Sequence, residues 1–222
     1  MASERITVRL KDLVGKTDSQ IYLIIGPPGS GKEAFALQYL VDGFIEKNNG
    51  VFLTTDSFPN EIIEKMKNLG TDPTNYIQAK QLQFIDAFSY RTGEDIKGNG
   101  LAVDNVRDLT GISVIIKKLI DSNEKLRLVM NTISTISIYN TPIAILDFIQ
   151  AQVARLKQKH HSGIIIAQHG MMEEKVIQGI KAIVDGVIEF HPSDDDKGVY
   201  QKRLRVEFAP QIRKSGWINL YQ

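Results

Sequence analysis

The feature that most constrains this chain is a glycine-rich turn that stands between an apolar run and a helical pattern. The apolar run covers 21–25 (IYLII), the turn covers 26–33 (GPPGSGKE), and the helical pattern covers 34–47. Glycines allow successive backbone N–H groups to form a concave nest, and the helix that follows directs the positive end of its dipole at the same place. The strand, turn and helix together predict a site that holds an anion of the phosphate type.

The turn reads G-x-x-x-x-G-K, which is the Walker A pattern of nucleotide-binding proteins up to its last position. A strand before it and a helix after it are the context that supports the match. We predict that the turn and the next helical residue contact the phosphates of ATP or ADP: Gly26, Pro27, Pro28, Gly29, Ser30, Gly31, Lys32, Glu33 and Ala34. A turn of the same shape that binds nothing remains the alternative.

Two positions that would hold Mg²⁺ in such a site are altered. Where a serine or threonine hydroxyl should bind the ion, the chain has Glu33, which is larger and charged. The predicted strand 126–133 carries Asn131 where an aspartate, the Walker B residue, should complete the ion's site. We expect weak or absent Mg²⁺ binding and no metal site. Glu33 is expected to hydrogen bond Asn131 in the ion's position, or to fold back onto Lys32.

Short apolar runs alternate with longer helical patterns along most of the chain. Strands are expected at 21–25, 51–55, 82–88, 126–133 and 163–167, with helices at 34–47, 61–69, 106–120 and 141–159. Strands that are apolar throughout are buried on both faces, which predicts a parallel sheet covered by helices on both sides. The last third alternates polar and apolar residues: 187–191 and 199–208 form a hairpin across 193–198, and 217–221 follows. The predicted class is α/β, with an antiparallel C-terminal extension, in one domain over 1–222.

Composition excludes several classes of function. The chain has no cysteine, which excludes disulfides, thiolate nucleophiles and sulfur-bound zinc. Its 27 basic and 26 acidic residues give a net charge of +1, which argues against a mainly electrostatic nucleic-acid or membrane binder. Since it contains neither an apolar run of about 18 residues nor a secretory signal, we expect a cytoplasmic protein without membrane contact.

Several segments carry a resemblance to a known family. They are GPPGSGKEAFALQYLVDGF (26–44), VFLTTDSFP (51–59), FIDAFSYRTG (84–93), LRLVMNTIS (126–134), IVDGVIEF (183–190) and LRVEFAPQIRKSGW (204–217). These segments resemble the RecA superfamily of P-loop ATPases, and FIDAFS and VDGVIEF are most similar to its KaiC-like branch. The resemblance covers about 21–221 and implies a RecA-like P-loop fold that binds nucleotide.

The resemblance also implies roles for residues outside the glycine-rich turn. The family usually ends its second strand in paired acidic residues, one of which is the general base; here Asp56 stands beside Ser57 and is a candidate base. Gln168 follows the fifth strand and is a candidate sensor of the γ-phosphate, or a residue that caps the turn. In oligomeric relatives, basic residues near the C-terminal hairpin reach a neighbour's phosphates. Arg213 and Lys214 are therefore candidates for such contacts in trans, or members of a solvated strand face.

Other motifs have structural interpretations. The histidines His160, His161 and His191 lack ligand spacing and are expected at the surface. The Phe-x-x-Ala sequence at 84–87 matches a short docking signature of recombinases, but it lies in a predicted buried strand, so we interpret it as packing. Aromatic residues beside the basic hairpin are too few to predict a single-stranded DNA groove, and direct nucleic-acid binding is not the favoured interpretation. Trp217 and Tyr221 are expected to pack at the sheet edge.

The departures at Glu33, Asn131 and Ser57 make rapid ATP hydrolysis unexpected. The favoured hypothesis is a degenerate, non-hydrolysing or slowly hydrolysing nucleotide-binding protein of signal transduction, which regulates a protein partner or paralogue and can form a homo-oligomer. Two alternatives stay open. One is an active ATPase of the RecA superfamily in signalling or DNA recombination and repair. The other is an interaction module whose nucleotide site is empty.

Overall fold

The computed structural model describes residues 6–92, 101–194, 198–214 and 216–221. In chain order its helices are α1 (Leu10–Val14), α2 (Lys32–Ile45), α3 (Pro59–Asn68), α4 (Thr74–Gln78), α5 (Leu109–Ser122), α6 (Ile133–Tyr139), α7 (Pro142–Gln158) and α8 (Glu174–Lys181). Its strands are β1 (Ile21–Gly26), β2 (Asn49–Thr54), β3 (Leu82–Asp86), β4 (Leu101–Ala102), β5 (Leu126–Asn131), β6 (Ser162–Gln168), β7 (Gly186–Asp194), β8 (Tyr200–Phe208) and β9 (Ile218–Asn219).

The described strands form one sheet in the order β4-β3-β2-β5-β6-β1-β7-β8-β9. Neighbours from β4 to β7 pair in parallel, whereas β8 and β9 are antiparallel. This arrangement confirms the predicted α/β class with a parallel sheet and an antiparallel C-terminal extension. The turn of the predicted hairpin, at 195–197, lies outside the described residues.

Both faces of the sheet are buried, as the apolar strands predict. In β1, Leu23 packs into a cluster with α5, α7 and α8, while Ile24 packs into a cluster with α1, α2 and α3. Every residue of β1 and β5 is buried, because helices cover the central strands from both sides. The central strands are thereby enclosed by helices, and their carboxyl ends meet at one edge of the sheet because they pair in parallel.

Two predicted strands are shorter in the structure. β5 ends at Asn131 because the Thr132 hydroxyl accepts a hydrogen bond from the Ser134 N–H at 3.3 Å and begins α6. The buried Ile133 therefore belongs to a helix. β3 ends at Asp86, whose carboxylate accepts hydrogen bonds from the N–H groups of Phe88 and Ser89, each at 2.9 Å. These polar contacts turn the chain where the apolar sequence predicted a longer strand.

Further differences concern short elements and one histidine. Five elements were not predicted from the sequence: α1, α4, α6, α8 and β4. His161 was expected at the surface, which is wrong: it is 1% exposed, and its Nε2 lies 3.1 Å from the Ile120 carbonyl oxygen. Phe84 and Ala87 are buried, which agrees with the packing interpretation of that segment. In the described parts of the chain, none of the helices is long and apolar enough to span a bilayer.

Candidate functional site

The candidate site is a cleft of about 360 Å³ at the carboxyl edge of the parallel sheet. β1 ends there at Gly26, β5 at Asn131 and β6 at Gln168, and α2 begins beside them. The lining residues are Pro28, Gly29, Ser30, Gly31, Lys32, Glu33, Ala34, Asp56, Asn131, Thr132, Gln168, Lys202 and Tyr221. The structure thus brings residues 28–34 of the predicted phosphate-binding segment together with Asp56, Asn131 and Gln168, while Gly26 and Pro27 are not among the lining residues.

The backbone of the turn depends on two glycines. Gly29 has φ +72 and Gly31 has φ +89, the left-handed region that residues with a Cβ rarely adopt. A Cβ on Gly31 would also lie 2.4 Å from the Leu220 side chain, whereas a Cβ on Gly29 would meet nothing within 4 Å. α2 begins directly after Gly31, so the first turn of a helix lines the cleft. This is the arrangement that binds phosphate groups.

Lys32 lies across the turn. Its Nζ donates a hydrogen bond to the Pro27 carbonyl oxygen at 2.8 Å. Partial burial lowers the pKa of Lys32, and the negative charges of Glu33 and Asp56 oppose that shift. The expectation that Glu33 folds back onto Lys32 is wrong, because the ion pair of Glu33 is made with another lysine, Lys65.

Glu33 is the centre of a four-residue network. Lys65 Nζ donates to both Glu33 carboxylate oxygens, at 2.9 and 3.2 Å. Asn131 Nδ2 lies 3.4 Å from Glu33 Oε1 and 3.3 Å from Asp56 Oδ1, so one amide group bridges two carboxylates. The hydrogen bond expected between Glu33 and Asn131 is present. Lys65 was missed, because only the packing of α3 against α2 brings it to Glu33.

Asp56 shares the Asn131 amide with Glu33. The side chain keeps an exposed surface at the mouth of the cleft, but the surrounding protein removes part of its hydration. This loss of hydration raises the pKa of Asp56, and the charge of Glu33 raises it further; Lys65 and a hydrogen bond with Ser57 act in the opposite direction. The carboxyl group is therefore easier to protonate than an isolated aspartate.

The remaining predicted residues divide into two groups. Gln168 lines the cleft, and its backbone N–H donates to the Ser134 hydroxyl at 2.8 Å, which fixes the end of β6. Arg213 and Lys214 are exposed and are not among the residues lining the cleft. The Arg213 N–H donates to the Leu13 carbonyl oxygen at 2.7 Å, and its guanidinium lies against Gly15. Within one copy of the chain, neither basic residue is brought to the turn.

The antiparallel C-terminal part of the chain contributes two other residues to the cleft. Lys202 and Tyr221 line it, with Lys202 Nζ 5.1 Å from the centre of the Tyr221 ring. The sequence analysis placed Tyr221 at the sheet edge and did not single out Lys202 as a cleft residue. Trp217 packs farther out, with the Arg205 guanidinium 4.8 Å from its ring and His191 at 5.5 Å.

The residues present do not fit a Mg²⁺ ion. Mg²⁺ requires oxygen ligands in nearly octahedral geometry. Here an amide N–H group of Asn131 lies between the two carboxylates, and the Lys65 ammonium occupies both oxygens of Glu33. In the parts of the chain that the structure describes, no three His, Cys, Asp or Glu side chains are grouped as metal ligands. Hydrogen-bond donors thus contact both carboxylates.

Comparisons with known proteins show which family the chain is similar to. Residues 10–216 match the family model described as "ATPase: KaiC". The chain is 28% identical to a UPF0273 protein of Sulfurisphaera tokodaii over 123 residues, which are 55% of this chain and 44% of that protein. It is 22% identical to one of Thermotoga maritima (82% and 75% covered) and 24% identical to one of Saccharolobus solfataricus (86% and 68% covered). The chain thus spans about half the length of the first relative and more of the others.

Proposed function

This chain belongs to the KaiC family of ATPases, and we propose that it is a nucleotide-binding regulatory protein that hydrolyses ATP slowly or not at all. The observation that carries the proposal is the pairing of Glu33 with Asn131 beside a phosphate-binding turn. The turn keeps the elements that hold phosphate, while the two residues stand where the ligands of a divalent ion should be. ATP or ADP is the proposed ligand.

Retention of binding rests on the glycine-rich turn and its lysine. Phosphate affinity at such a turn comes from backbone N–H groups, the helix N-terminus and the lysine charge. Each of these is present, because Gly29 and Gly31 adopt left-handed conformations and Lys32 begins α2. Lys32 has to exchange the Pro27 carbonyl oxygen for a phosphate oxygen when nucleotide enters. We therefore propose that nucleotide binding moves this lysine.

The proposed loss of hydrolysis rests on the altered Mg²⁺ position and on the contacts of the candidate base. Phosphoryl transfer requires neutralised phosphate charge and an oriented water molecule. Removal of one electrostatic element typically costs about 10²–10³-fold in rate. The ion's position is occupied by Glu33 and Asn131, and the candidate base Asp56 accepts a hydrogen bond from Asn131. Two such losses leave little turnover, and weak Mg²⁺ binding is part of the proposal.

Without turnover, the output has to be an interaction that depends on nucleotide occupancy. We propose a cytoplasmic protein of signal transduction, with one domain over 1–222, that binds a protein partner or a catalytic paralogue. A homo-oligomer in which Arg213 or Lys214 reaches the phosphates of a neighbouring copy fits the same proposal. Neither residue serves the cleft of its own chain.

Two other functions are favoured by single observations. An active ATPase is favoured by Asp56 and Gln168, which both line the cleft where a base and a γ-phosphate sensor should be. An interaction module with an empty site is favoured by Lys32, whose ammonium is satisfied by the turn's own carbonyl group. Direct nucleic-acid binding has no comparable support.

Calorimetric titration with ATP and with ADP, in Mg²⁺ and in EDTA, beside a phosphate-release assay, separates the three functions. The proposal expects binding in EDTA, no phosphate release, and loss of binding in Lys32→Met. Phosphate release that requires Mg²⁺ would establish the active ATPase. Absence of binding by the folded wild-type protein in both conditions would contradict the proposal and leave the interaction module.

A further inference from the structure

We infer that Lys65 supplies the positive charge that a divalent ion supplies in Mg²⁺-dependent sites, so that this chain holds nucleotide phosphates without a metal ion. The inference rests on the proposed nucleotide binding and adds to it a residue outside the phosphate turn. It also explains why a carboxylate is tolerated at position 33. An unpaired carboxylate there would repel phosphate oxygens, whereas a carboxylate paired with an ammonium does not.

The geometry places the ammonium group of Lys65 directly on Glu33, the altered Mg²⁺-ligand position. Lys65 Nζ contacts both oxygens of Glu33, and the Glu33 side chain keeps 28% of its surface exposed. Such a two-oxygen contact fixes the ammonium group more firmly than a single contact does. Glu33 in turn lines the cleft next to Lys32. The ammonium of Lys65 is therefore held beside the phosphate turn by Glu33, from outside the Walker motifs.

The charge balance of the site supports the same conclusion. Beside the turn, the ammonium groups of Lys32 and Lys65 balance the carboxylates of Glu33 and Asp56, so these four side chains carry no net charge. A divalent ion added among these groups would lie close to two ammonium groups, and charges of like sign a few ångströms apart raise the energy even when partly screened. Polyphosphate is attracted to the same groups. The site thus favours a metal-free nucleotide.

Removal of Lys65 leaves one ammonium against two carboxylates, a net charge of −1 on the remaining groups. Lys65→Met leaves the carboxylates of Glu33 and Asp56 without their shared counter-charge, although the Asn131 amide remains between them. A cation from solution can then approach Glu33. The same helix offers a matched control: Lys67 pairs at 2.8 Å with Glu64, an exposed residue that does not line the cleft, whereas the partner of Lys65 does.

The first measurement uses Mn²⁺ alone, detected by electron paramagnetic resonance, on the nucleotide-free protein. Wild type and Lys67→Met are expected to bind no Mn²⁺ in this cleft, whereas Lys65→Met is expected to gain a Mn²⁺ site. The double variant Lys65→Met with Glu33→Gln should lack that site, because the carboxylate that holds the ion is gone. Because this assay contains no nucleotide, it tests Lys65 whether or not the proposed function holds. Absence of Mn²⁺ binding by folded Lys65→Met, or equal binding by wild type, would overturn the inference.

The second measurement is calorimetric titration with ADP in EDTA. Lys65→Met is expected to bind about tenfold more weakly than wild type, the loss typical of one charge-assisted contact, while Lys67→Met is unchanged. Lys65→Arg keeps the charge and should bind ADP as wild type does. Thermal melts are compared as well: if Lys65→Met and Lys65→Arg are equally stable, a merely structural role of Lys65 would not explain a difference in their ADP affinity. If wild type binds ADP and Lys65→Met binds equally well, the inference fails and the proposed function stands. If wild type does not bind, the proposed function fails.

Discussion

Glu33 alters the chemistry of the phosphate turn because a carboxylate carries a charge that a hydroxyl does not. In the structure that charge contacts two hydrogen-bond donors, the ammonium of Lys65 and the amide of Asn131, and the same amide also contacts the carboxylate of Asp56. A single substitution at this position therefore leaves partners unsatisfied. Reconstruction of a Mg²⁺ site has to change the residues together.

The change that tests this view is Glu33→Thr with Asn131→Asp, which rebuilds both ligand positions for Mg²⁺. We expect ATP binding that is stronger in Mg²⁺ than in EDTA, because a hydroxyl and a carboxylate now face the ion. Adding Lys65→Met should strengthen the Mg²⁺-dependent binding further, by about tenfold, since an unpaired ammonium no longer repels the ion. Calorimetric titration of the wild type, double and triple variants measures both effects. A double variant that binds no better in Mg²⁺ than in EDTA would contradict our account of the defect.

The site was predictable from sequence as far as motif positions define it. The strand-turn-helix arrangement, the Glu33–Asn131 hydrogen bond and the cleft positions of Asp56 and Gln168 follow from spacing and from the resemblance. Lys65 and Lys202 belong to none of the motifs. Packing of a distant element brings Lys65 to Glu33 and Lys202 to the cleft. Sequence spacing cannot give such contacts, because they depend on how helices and strands approach one another.

At the scale of elements, both faces of β1 lie in the core, so a charge that develops on one of its side chains destabilises the folded state. Tyr22 on this strand is 1% exposed, and in the described structure its hydroxyl has no hydrogen-bond partner. Burial, with a smaller contribution from the negative charge of Asp185, raises the pKa of Tyr22 to about 12. The neutral phenol is therefore strongly preferred in the folded state.

This shift predicts a loss of stability in alkali. The unfolded chain ionises Tyr22 near its ordinary pKa of about 10, so above that pH the unfolded state binds fewer protons than the folded state. Relative to Tyr22→Phe, wild type should lose about 2 kcal/mol of unfolding free energy by pH 12. Urea denaturation of both proteins at pH 8, 10 and 12 measures the difference. If the free energies of unfolding of the two proteins change equally with pH across this range, Tyr22 ionises as freely in the folded protein as in the unfolded chain.

Long apolar strands were predictable because burial on both faces leaves a continuous run of hydrophobic residues. The predicted ends were wrong where a polar side chain turns the chain, as Thr132 does after β5 and Asp86 does after β3. The helix α8 has buried residues at Val176, Ile177 and Ile180, a spacing that could have identified it. The short elements α1 and α4 span one turn or little more, too short for a periodic pattern to stand out.

At the scale of the whole molecule, both ends of the described chain meet beside the phosphate turn. The Thr7 N–H donates to the Leu220 carbonyl oxygen at 3.1 Å, and the Leu220 N–H donates to the Lys202 carbonyl oxygen at 2.8 Å. The Leu220 side chain is fully buried, at the point where a Cβ on Gly31 would lie 2.4 Å from it. The C-terminal extension of the sheet therefore packs against the phosphate turn at Gly31.

This contact predicts that substitutions of two equally buried leucines lower the free energy of unfolding alike but differ in their effect on ADP affinity. Leu220→Ala and Leu156→Ala both create a cavity in the core and should each cost about 2–5 kcal/mol of unfolding free energy. Leu220→Ala should in addition weaken ADP binding, because the turn at Gly31 loses its support, whereas Leu156 lies in the cluster on the opposite face of the sheet. Urea denaturation and calorimetric titration, at a temperature where both variants are folded, measure the two effects. Equal ADP affinity in both variants would mean that the extension stabilises the fold without shaping the turn.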